Sequence, residues 1–178
     1  MTDSELADAL DQSLDALSEV VGLDWTIPAG SLDWSCWQAI DHTIDCVLSF
    51  ALQIGQPTDS GFHPFAPIHA EPTATPSDLV QGLRSVSSLF LAITRGSPQD
   101  LTASDGIVSL AIADWRARTA YEVALHTYDV RVGLGQDFSL PDALSTSIMA
   151  SGALWMFDRS RPQRASDPWH ALITGSGR

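Results

Sequence analysis

Apolar residues recur at helical spacing along five stretches of this chain, and nowhere do they alternate as a half-buried strand would. Thr2-Asp3-Ser4-Glu5 has the capping-box pattern, in which hydroxyl and carboxylate satisfy each other's orphan amides. Behind it Leu6, Leu10, Leu14, Leu17 and Val21 predict one amphipathic helix ending near residue 21. Residues 22–33, with Pro28, Gly30 and Ser31, read as a loop, and a second helix is expected over residues 34–54, stopped by Gly55. Five prolines between residues 57 and 76 exclude helix and central strand there, so that stretch reads as a long surface connection. A third helix starts at Thr75-Pro76, with Leu79, Leu83, Val86, Phe90 and Ile93 as its buried stripe. A fourth is expected over residues 108–134. A fifth opens at Ser139-Leu140-Pro141-Asp142, with Leu144, Ile148, Ser151 and Trp155 on one face. The tail from Asp158 reads as a segment lying over the helices. The expected class is all-α: one domain over residues 1–178, an up-down bundle of four helices with an additional helix.

A chain of 178 residues is long enough to bury a core without covalent staples. Its formal charge is −13 and all nine basic residues are arginine. The absence of lysine removes Schiff-base chemistry and the phosphate-binding P-loop. Strong acidity without a basic patch argues against nucleic acid and against an anionic membrane surface. The acidic start MTDSELADAL does not read as a signal peptide, and no apolar run approaches the ~20 residues of a membrane span. Two cysteines, Cys36 and Cys46, suggest reduced thiols rather than a disulfide framework, so a cytoplasmic location is expected.

The fourth helix carries the chemistry. Glu122 and His126 stand four residues apart, just over one turn, so both project from one face. At about 100° per residue, Trp115, Arg118, Thr119 and Asp129 fall within roughly 60° of Glu122 as well. Val123, Val130, Tyr121, Leu125 and Val132 flank this row, which places it in the middle of the apolar half. Arg116, Ala120, Ala124, Thr127 and Arg131 form the opposite side and are expected to face solvent. Buried carboxylate and imidazole need partners. A metal ion would satisfy them, and so would a hydrogen-bonded network of Arg118, Glu122, His126 and Asp129 with no ion. By phase alone His42 lies on the polar flank of the second helix, beside Gln38, Asp45 and Ser49, where a surface histidine is the simpler reading. Cys46, one turn on, is expected to be a buried inert thiol. His63 and His69 fall in the proline-rich loop as exposed residues.

The segment WSCWQAIDHTIDCVLSFA, followed some eighty residues later by YEVALHTYDVRVGLG, resembles the DinB-like superfamily. More narrowly it resembles the metal-binding domain of mycothiol-dependent maleylpyruvate isomerases. The shared elements are a Trp-rich entry to the second helix with a His a few residues on, then Glu-x-x-x-His-x-x-Asp, small residues and Gly, here Glu122, His126, Asp129 and Gly133. The ending DPWHALITGSGR is similar to the short Gly-Arg ending of small members.

The resemblance implies a divalent ion, zinc by preference, held by His42, Glu122 and His126. It also implies mycothiol or another small thiol as the second partner, and a small electrophilic molecule as substrate. Zinc bound by two His and one Glu keeps an open position, where a coordinated thiol loses its proton at neutral pH. Asp129 would act at the reaction or orient His126. The isomerases carry a second domain that helps to form their active site, and none is expected in this chain. A thiol-dependent transferase is therefore expected as readily as an isomerase. The competing expectations are a non-catalytic metal-stabilised binding module, with homodimerisation open, and a metal-dependent hydrolase with water at the open position.

Overall fold

A computed structural model describes residues 1–55, 57, 67–104, 106–151 and 167–178. Its four long helices are α1 (Asp3–Ser18), α2 (Cys36–Gly55), α3 (Pro76–Gly96) and α4 (Ile112–Gly133). Two short ones follow, α5 (Asp142–Met149) and α6 (Pro168–Gly175). α1 packs on α3 and α4, and α2 packs on the same two, so the long helices enclose one apolar core. The mostly helical class expected from periodicity is what forms. No helix among the described residues is long and apolar enough to cross a membrane.

Local chemistry sets the helix starts. Both the amide and the hydroxyl of Thr2 donate to the Glu5 carboxylate, at 2.7 and 2.9 Å, closing the capping box. Thr75 and Asp78 form a second box, with Pro76 in the first turn of α3. α1 ends at Ser18 rather than near residue 21, because the chain tightens into a turn and the Trp25 indole donates to the freed carbonyl of Val20 at 3.0 Å.

Three expectations are corrected. First, a hairpin of β1 (Thr102–Ser104) and β2 (Ser109–Ala111) precedes α4, pairing Thr102 with Ala111 and Ala103 with Leu110. Alternation is present there, Ala103 and Leu110 inward, but over too few residues to stand out. The pairing takes the backbone groups of residues 109–111, so α4 starts at Ile112 instead of near 108. The Trp115 indole fastens the hairpin by donating to the Ala103 carbonyl at 3.2 Å. Second, the side of α4 expected to face solvent is buried: Arg116, Ala120, Ala124 and Thr127 are all at most 3% exposed. Its small residues let α1 approach closely, and an arginine anchors each end. Arg116 bonds Asp3 through Nε at 2.9 Å, and Arg131 bonds Glu19 at 2.8 Å and the Ala16 carbonyl at 3.0 Å. Third, α5 stops at Met149; Trp155, expected to extend its face, lies outside the described residues, as does His63. Of the tail, residues 168–175 form α6, capped by Asp167 and packed on α5.

Candidate metal centre

α4 offers Glu122 and His126 from adjacent turns, with His126 Nε2 3.3 Å from Glu122 Oε1. α2 brings His42 to the same carboxylate oxygen, Nε2 to Oε1, at 3.5 Å. The polar-flank reading of His42 is thus half right. Its side chain keeps 39% of its surface exposed, yet it turns across the α2–α4 seam onto Glu122. The donor atoms of His42, Glu122 and His126 all lie within 4.8 Å of one another. Ligands ~2.0–2.1 Å from a tetrahedral zinc ion stand roughly 3.3–3.4 Å apart, and the two spacings to Glu122 Oε1, 3.3 and 3.5 Å, lie close to that. Two imidazole nitrogens and a carboxylate oxygen form a set that suits zinc. The donor set and its spacing therefore fit the expected ion.

The charges are arranged around the same three groups. Burial would push Glu122 up, but the His126 and His42 imidazoles outweigh it and hold the carboxyl well below the usual carboxylate range. Burial would likewise lower His126, but the Asp129 and Glu122 carboxylates overcome it and raise the imidazole to about 9. Asp129 lies behind His126, only 1% of its side chain exposed, with Oδ2 3.1 Å from Nδ1. That contact is an ion pair lying off the line of a full hydrogen bond. Asp129 takes no part in the cavity wall.

In front of the triad is a cavity of about 560 Å³. Leu32, Trp34, Tyr121 and Leu125 supply its apolar surface, and Ser176 and Arg178 close the α6 side. The Trp34 ring lies 4.7 Å from His42 and 6.2 Å from His126, centroid to centroid. The 28–35 loop carries it there. Ala29 N–H donates to the Trp34 carbonyl at 2.8 Å, Pro28 bridges to Ser35, and Gly30 turns at φ +55°. Cys46 Sγ lies 3.3 Å from His42 Nε2, and burial leads the effects that push its thiol up. His69, read as an exposed loop residue, meets Asp41 at 2.8 Å on another part of α2.

Sequence reading missed Trp34 and Arg178 as parts of this site. The signals for Trp34 were a large aromatic just outside a helix start and the Trp-rich entry that the resemblance shares. Arg178 was marked only as part of the Gly-Arg ending that the resemblance shares, and nothing pointed to its partner, which stands 49 residues away. Arg118, counted in the network alternative, lies over the Phe50 and Trp115 rings at 4.8 and 5.3 Å. The arginine seen bonding Asp129 is Arg178.

No family model, curated protein or solved structure matches the chain. The likeness to DinB-like proteins rests on the motif residues alone.

Proposed function

We propose that this protein is a DinB-like four-helix bundle that binds one divalent ion, zinc, through His42, Glu122 and His126. We propose further that it uses the ion to activate a small thiol, of the mycothiol kind, against an electrophilic small molecule. The observation that carries this reading is the meeting of three donor atoms, within 4.8 Å, on the wall of an open cavity. Bound there, zinc would supply an open coordination position at which a thiol is held as thiolate near neutral pH. The chain's own residues do the rest. Glu122 is kept anionic by the imidazoles on either side, so it is ready as a ligand. Trp34, Leu32 and Leu125 give the substrate an apolar surface that displaces water from the site. Asp129, out of reach of substrate, acts on His126 as a positioning residue rather than at the reacting atoms. Isomerisation and transfer both need these parts.

A second reading is favoured by Cys46, whose sulfur lies 3.3 Å from His42 Nε2. A sulfur that completed the set would close the site and make it structural, as in a metal-stabilised binding module. Cobalt substitution separates the two. Under the catalytic reading, sulfur-to-cobalt charge-transfer absorption appears only on adding a small thiol; under the closed reading it is present beforehand and disappears in Cys46→Ser. Protein purified without a metal-affinity tag should hold about one zinc per chain, and His42→Ala and His126→Ala should each lower occupancy at least tenfold. Full occupancy in both variants would remove the metal assignment.

A further inference from the structure

Arg178, after the end of α6, reaches across to the last turns of α4 and grips Asp129 at both oxygens. Its Nε donates to Oδ1 at 3.1 Å and its Nη2 to Oδ2 at 3.0 Å, while Nη1 donates to the Ser176 carbonyl at 3.4 Å. A two-point grip holds the plane of a carboxylate, which a single point charge does not. The plane matters because Oδ2 is the atom that also faces Nδ1 of His126 at 3.1 Å. Held from the Nδ1 side, the imidazole presents its opposite nitrogen, Nε2, to Glu122. Histidines that ligate metals nearly always donate the other ring N–H to an oriented acceptor, and Asp129 Oδ2 is the acceptor that stands within reach of Nδ1, at 3.1 Å and off the ideal line.

The packing makes the grip a designed feature of the fold. Asp129 is closed off from water, so a carboxylate there needs a cation. α6 is fixed by fully buried Leu172 and by Trp169, whose ring meets Tyr128 and Phe138 at 6.0 and 5.6 Å. Tyr128 is the neighbour of Asp129 in α4, so the contact that seats α6 also brings Arg178 to its partner.

We infer that Arg178 is a positioning residue of the metal centre: by fixing the Asp129 carboxylate it sets the ring of His126, and thereby the site's affinity for the ion. The inference rests on the metal reading above. Arg178→Gln in the full chain should weaken zinc binding ~10–100-fold in competition with a chromophoric chelator, with helicity unchanged. Arg178→Lys, which keeps the charge but loses the fork, should fall between wild type and Arg178→Gln. The double variant Asp129→Asn/Arg178→Gln should bind zinc no more weakly than Asp129→Asn alone, since both act along one line. The ¹⁵N-imidazole NMR signal of His126 Nδ1 should shift in Arg178→Gln.

A lowered melting temperature with wild-type zinc affinity would make Arg178 a merely structural anchor and overturn the inference. Additive losses in the double variant would overturn it too. If Arg178→Gln does not fold, Arg178→Lys decides: weaker zinc binding at wild-type helicity supports the role, and unchanged binding removes it. Wild-type protein that takes up no zinc removes the metal reading together with this one, an outcome distinct from zinc uptake that is indifferent to residue 178.

Discussion

Gly133, in the last turn of α4, lies so close to the carbonyl oxygen of Pro28 that a Cβ at residue 133 would overlap it, and would stand 2.9 Å from the Gly30 nitrogen. This approach seats the 28–35 loop, and with it Trp34, on the end of α4. Substituting alanine at an exposed helical glycine gains ~1 kcal/mol of helix propensity. Here the obstacle is backbone, which yields little, and overpacking costs ~1–3 kcal/mol. Gly133→Ala should therefore destabilise the protein on balance in denaturant titration and weaken zinc binding as Trp34 moves. A variant as stable as wild type would show that the loop shifts freely.

The raised affinity of His126 for its proton sets a pH dependence with a definite sign. Its folded value, about 9, exceeds the ordinary value of 6.5. In metal-free protein the stabilisation from charged His126 is complete below pH 6.5 and is lost as pH rises through 9. Relative to His126→Gln, metal-free wild type should thus lose stability between pH 7 and pH 10. Zinc must displace the same proton, so zinc affinity should climb over that range until about pH 9. An affinity flat between pH 7 and pH 9 would contradict a protonated His126.

Neither cysteine should behave as a reactive thiol. Burial raises Cys36 to about 11, and burial with the nearby Glu122 carboxylate pushes Cys46 up as well. Reactivity follows the thiolate, and a free thiol titrates near ~8.5. Native protein at pH 8 should therefore be alkylated by iodoacetamide about two orders of magnitude more slowly than unfolded protein. Fast labelling of Cys46 in native protein would argue that the α2–α4 seam opens.

Arg116 is 3% exposed, and its principal partner is Asp3 at the start of α1. Asp3→Ala leaves the guanidinium with the Thr94 carbonyl and Gln99 as remaining acceptors, so part of the bonding survives. The expected cost is ~1.5–3 kcal/mol, the range for a hydrogen bond to a charged group. It should appear in equilibrium unfolding as a shift in midpoint with an unchanged denaturant slope.

What the sequence determined by itself was local. Helical spacing marked every long helix, hydroxyl–carboxylate pairs marked the starts of α1 and α3, and a four-residue interval put Glu122 and His126 on one face. Each of these follows from bonds and rotations within a turn or two. The resemblance added His42, which its own helical phase had left at the surface. Only the tertiary structure decided which neighbour covers each face. α4 has apolar, small and ionisable residues all round, so periodicity along it could not reveal that α1 seals the Ala120–Ala124–Thr127 side. The hairpin before α4 depends on pairing that three-residue strands do not announce. Trp34 packs against histidines from two helices, and Arg178 finds Asp129 across 49 steps of chain. Such contacts are chosen by packing and by the cost of leaving a buried charge alone, and neither is written in the order of neighbouring residues.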